Sequence, residues 1–148
     1  MIREDERTED ARYWQSARND LLKSFGVGEK YAENDGEKQE TWLEDLLGVD
    51  CIMDGSHHVP NWTATRYTPV LRFQLSWGGP GDQWELALSK TRHGWTLRRV
   101  CYVFLPWWGY RAHHIRAGSR TWQALERLLE AVYLDDVSPI LEVYDEEA

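Results

Sequence analysis

With 148 residues, 42% hydrophobic and 28% charged, the chain has the size and composition of one ordinary globular domain, long enough to bury a core without disulfide or metal staples. The net charge is −8, and the two cysteines, Cys51 and Cys101, form neither a disulfide framework nor a CxxC pair. No apolar run approaches the roughly 18 residues of a membrane span, and MIREDERTED lacks the apolar centre of a secretory signal. The expected setting is therefore the cytoplasm, with both cysteines as thiols.

A first helix is predicted over residues 8–25, with Thr8 as its cap and Gly26 as its stop. Trp14, Ala17, Leu21 and Phe25 recur at helical spacing on one face. After a loop over 26–36, a shorter helix fits 37–47 with Trp42, Leu43, Leu46 and Leu47 turned inward. Residues 48–67 show no clear period and read as an irregular connection with at most one short strand.

Strand alternation is clearest from 71 onward. Leu71, Phe73, Leu75 and Trp77 alternate with Arg72, Gln74 and Ser76, and a turn follows over 78–82. Trp84, Leu86 and Leu88 then alternate with Glu85, Ala87 and Ser89. After the turn at 91–94, two registers compete over 95–105: Trp95 and Leu97 first, then Val100, Tyr102 and Phe104. A bulge at Arg98 and Arg99 reconciles them. Pro106 ends that strand and Trp107-Trp108-Gly109-Tyr110 follows. A last helix over 119–134 is capped by Ser119 and striped by Trp122, Leu125, Leu128, Leu129, Val132 and Tyr133. The tail 140–144 offers a further edge strand.

The expected fold is thus α+β: a three- to four-stranded antiparallel meander, two N-terminal helices, and a C-terminal helix packed on one sheet face. It is read as one domain over 1–148, with an acidic helical part at 1–48, the sheet at 68–105 and the helix at 119–134.

Charge is sorted along the chain: residues 1–55 carry −8, residues 56–118 carry +6 and residues 119–148 carry −6. An acidic surface for a basic partner, a basic site on the sheet, and simple internal neutralisation all follow from such sorting. Arg72, Arg98 and Arg99 on neighbouring strands, among tyrosines and tryptophans, suit phosphate contact with base stacking. The net charge of −8 works against a polyanion. His57-His58, His93 and His113-His114 raise a metalloenzyme reading, but their spacing matches no closed zinc pattern. A thiol nucleophile is disfavoured, because Asp50 beside Cys51 raises its pKa and Cys101 lies in an apolar strand. No phosphate loop, nucleophile elbow or metalloprotease motif is present. The residues therefore nominate no catalytic group, metal or cofactor.

Residues 71–110, with the turn Ser76-Trp77-Gly78-Gly79-Pro80 between two strands and a third strand ending in aromatics, resemble small uncharacterised proteins of phages and other mobile elements. The resemblance implies a mobile-element origin, where small acidic proteins often inhibit host defence, anti-CRISPR proteins among them. It carries over no catalytic residue. The reading that unites these features is a non-enzymatic acidic binding protein, an inhibitor of a host nucleic-acid-processing complex. Glu37, Glu40, Glu44 and Asp45 would meet a basic protein surface, or Trp107, Trp108 and Tyr110 would enter a pocket. A single-strand binder using Arg72, Arg98 and Arg99 is the alternative, and a histidine-dependent metalloenzyme the third.

Overall fold

The computed structural model describes residues 4–27, 36–57, 60–92 and 94–135. In chain order these form α1 (Glu4–Phe25), α2 (Gly36–Glu44), β1 (Gly48–His57), β2 (Thr63–Ser76), β3 (Gly81–Thr91), β4 (Gly94–Leu105), β5 (Arg111–His114) and α3 (Arg120–Asp135). The strands make one antiparallel meander in the order β1-β2-β3-β4-β5.

The α+β class and the helix order agree with the sequence, but the sheet has five strands rather than three or four. Residues 48–67 supply β1 and the start of β2. β1 is an edge strand and mostly exposed, so no apolar alternation marks it. The Thr63–Thr68 stretch instead carries the β-branched and aromatic residues that suit a pleated strand. β5 is only four residues long. α2 stops at Glu44, so Leu47 leaves the helix and donates its N–H to the carbonyl of Gln74 at 3.0 Å, entering the sheet. The tail strand expected at 140–144 lies outside the described residues.

One sheet face carries the main core. Leu71, Phe73, Trp84, Leu86, Leu88, Val100, Tyr102 and Phe104 cluster with Leu21 and Phe25 of α1, Trp42 of α2, and Leu125, Leu128 and Val132 of α3. Helix α1 contacts α3, and both reach β4. The cap foreseen for α3 is present: the Trp122 N–H donates to Ser119 Oγ at 3.2 Å. Each large side chain so buried stabilises the fold by about 1.5–3 kcal/mol.

The other face is buried too. Trp62, Ala64, Val70, Ala87, Cys101 and Val103 form a second cluster. Trp62, in the β1–β2 connection, brings its ring to 6.2 Å from that of His114 on β5, although β3 and β4 lie between those strands. The far end of the β1–β2 hairpin therefore folds across this face. Register breaks in β1 between Ile52 and Asp54 and between Asp54 and His57 provide the bend. β3 is consequently buried from Gly81 to Leu88, on both sides.

The bulge in β4 is where the competing registers put it. Ala87 pairs with Arg99 and Leu88 with Leu97, leaving Arg98 as the extra residue.

Candidate interaction surface at one end of the sheet

Seven large hydrophobic residues are exposed among those described, and six of them gather at one end of the sheet: Leu47, Val49, Trp77, Trp107, Trp108 and Tyr110. Only Tyr67 lies apart, with the Arg66 guanidinium 5.0 Å from its ring centre. Chain geometry gathers the six. The connections β2–β3 and β4–β5 turn at the same end, where β1 also begins opposite Gln74. The two turns touch: a Cβ on Gly79 would stand 2.7 Å from the Trp107 ring, so the indole lies directly on glycine backbone. Trp77, Trp107 and Trp108 are 67%, 72% and 87% exposed. At roughly 250 Å² per full indole, they leave on the order of 500 Å² of aromatic surface in water, toward the upper end for a monomer's largest patch. Trp77, read from alternation as an inward strand residue, is instead outward, because β2 ends at Ser76.

The acidic residues foreseen as a contact surface, Glu37, Glu40, Glu44 and Asp45, are all exposed on α2 or directly after it. Glu37 and Asp45 also line a groove of about 970 Å³ between α1 and α2, while Glu40 and Glu44 do not. Leu46, Leu75, Ser76 and Asp82 line it as well, so the C-terminal end of α2 borders the aromatic end of the sheet. The buried Asp82 accepts hydrogen bonds from Tyr102 Oη at 2.7 Å and from Ser76 Oγ. Burial raises the pKa of Asp82 and both hydrogen bonds oppose that rise. Burial chiefly, and the Asp82 charge next, push the Tyr102 hydroxyl far above its ordinary value, so it stays a donor. Asp82 follows Gly78, Gly79, Pro80 and Gly81, and that turn sequence gives no sign of this network.

The three arginines of the alternative reading are not equivalent. Arg72 is ion-paired with Asp50 at 2.7 Å and faces Glu85 across the β2–β3 ladder. Arg98 and Arg99 are exposed and line a separate small groove with Trp62. Among the histidines, His58 and His93 lie outside the described residues, and His57 meets the Thr63 hydroxyl at 3.4 Å. His113 is hydrogen-bonded to Asp10 at 2.8 Å and stacks on Trp14, with ring centres 5.3 Å apart. Arg111 Nε binds the other Asp10 oxygen at 2.8 Å. That buried carboxylate fastens acidic α1 to basic β5, a link the sequence did not reveal. No group of three or more His, Cys, Asp or Glu converges on a metal-sized site among the described residues.

Both thiols are pushed up, Cys51 to about 11 by burial and Cys101 to about 12 by burial first and the Glu85 charge second. Burial, rather than the neighbouring Asp50, is thus the cause at Cys51, and neither thiol has the electropositive setting of a nucleophile. No helix among the described residues is long and apolar enough to cross a membrane. Compared with known protein families, characterised proteins and solved structures, the chain matches none.

Proposed function

We propose that this chain is a non-enzymatic binding protein that presses the aromatic end of its sheet into an apolar pocket on a protein partner bordered by basic groups. One observation carries the reading: Trp77, Trp107, Trp108 and Tyr110 stand exposed together on two touching turns. Indole and phenol rings are the anchors that dominate binding energy at protein interfaces, and leaving four of them in water has no stabilising return for the isolated fold. The acidic end of α2 beside them favours a basic rim on the partner and speeds encounter. A host nucleic-acid-processing complex offers such basic surfaces, so the resemblance to mobile-element proteins makes an anti-CRISPR-like inhibitor, acting by occlusion, the first version to test.

The test is cross-linked capture from native host cells with the full chain, run beside Trp107→Ala with Trp108→Ala and beside Glu40→Lys with Glu44→Lys and Asp45→Lys. A partner held by the wild type and lost by the double tryptophan variant, with far-UV circular dichroism unchanged, is the expected result. The lysine variant is expected to slow association. Equal capture by the wild type and the tryptophan variant refutes the reading.

A further inference from the structure

Strict strand alternation sends consecutive side chains to opposite faces, and the bulge in β4 breaks it. Arg98 and Arg99, next to each other in sequence, both line one groove of about 220 Å³ on the second face of the sheet. Asn61, Trp62, Thr63 and Thr68 complete most of its wall, and no carboxylate residue lines it. Arg72 is answered by Asp50 and Arg111 by Asp10. Among the described residues neither the Arg98 nor the Arg99 side chain has an ion-pair or hydrogen-bond partner. Two adjacent guanidinium groups repel each other, and the apolar wall of Val70, Ala87 and Trp62 weakens the screening that water supplies. An anion removes that repulsion, and the planar donor fork of arginine matches phosphate oxygens two at a time. Asn61, Thr63 and Thr68 add neutral polar residues along the same wall, the Thr68 hydroxyl already meeting that of Thr65 at 2.8 Å.

We infer that this groove binds a phosphate ester. Its volume holds a phosphate and the group attached to it, below the range of about 300–1,000 Å³ typical of drug-sized ligands. A free nucleotide and the backbone of a single strand supply the same chemistry. The site is about 20 Å along β4 from the aromatic turns, at roughly 3.3 Å per residue, and stands independently of the binding function proposed above.

The full chain is titrated at low salt with inorganic phosphate, adenosine monophosphate and an oligothymidylate, by calorimetry and by the Arg Nε resonances. Saturable binding is expected with at least one ester, weakened at least tenfold in Arg98→Ala with Arg99→Ala. Arg92→Ala with Arg116→Ala, an equal loss of charge elsewhere, is expected to change it less than twofold. Should the alanine pair unfold, Arg98→Lys with Arg99→Lys keeps the charge, loses the fork and is expected to weaken binding several-fold. Monophosphate binding as tight as the oligonucleotide's identifies a small ligand, and oligonucleotide binding at least tenfold tighter identifies the strand. No saturable binding by any probe, or equal loss in the two alanine pairs, overturns the proposal.

Discussion

Glu85 lies mid-strand on β3 with none of its surface exposed, and burial pushes its carboxyl from the ordinary 4.5 to about 7, against the opposing pull of Arg72 and of the Gln83 amide. The folded chain therefore holds a proton that the unfolded chain releases at lower pH. The resulting contribution to stability is fully present below about pH 4.5, declines as pH rises and is gone above about pH 7. At about 1.4 kcal/mol per tenfold change, the interval from 4.5 to about 7 is worth roughly 3 kcal/mol. Glu85→Gln keeps the shape, and its amide oxygen can still accept from Gln83 Nε2, which donates to Glu85 Oε1 at 3.2 Å. The variant is expected to exceed the wild type by less than about 1 kcal/mol at pH 5 and by up to roughly 3 kcal/mol at pH 8. Urea unfolding of both proteins at pH 5, 6, 7 and 8 measures this, and the titration of Asp82, common to both, cancels in the difference. A stability gap that does not vary with pH, or a less stable variant at pH 8, refutes the reasoning.

Asp10→Asn removes the carboxylate that holds Arg111 and His113. It is expected to cost roughly 2–3 kcal/mol in urea unfolding, below the range for a fully buried pair because Arg111 keeps about a third of its surface exposed. Gly79→Ala drives a methyl group into the Trp107 ring, which is exposed and free to yield. Stability is expected to change by less than about 1 kcal/mol while tryptophan fluorescence shifts and partner capture falls.

The sequence made visible whatever obeys a simple period. Helix α3 announces itself through Leu125, Leu128, Leu129 and Val132, and the register conflict between Leu97 and Val100 located the bulge. It concealed what depends on distant chain. Glu85 alternates with Trp84 and Leu86 as a solvent-facing residue would, yet it is fully buried in a strand covered on both faces. β1 was illegible because an exposed edge strand needs no apolar face. Trp107, Trp108 and Tyr110 were legible as aromatics in a segment without periodicity; Trp77 was not, because one residue decides whether it ends the strand or begins the turn.

Charge sorting along the chain is partly consumed inside the fold. Asp10 with Arg111 and Asp50 with Arg72 tie the acidic N-terminal third to the basic middle. Glu37, Glu40, Glu44 and Asp45 on one side, and Arg98 and Arg99 on the other, remain exposed. The C-terminal end of α2 borders the aromatic surface, Arg98 and Arg99 line the groove, and ionic strength separates the two. Phosphate binding at Arg98 and Arg99 draws on exposed charge against a repelling net −8, so added salt both screens the contact and relieves the repulsion, and the contact effect wins at a range shorter than the Debye length of about 10 Å at 0.1 M. Docking of the tryptophan turns draws on apolar area, so salt slows encounter through the acidic rim and leaves dissociation nearly unchanged. An affinity that falls with salt through dissociation therefore belongs to the arginine groove, and one that falls only through association belongs to the aromatic end.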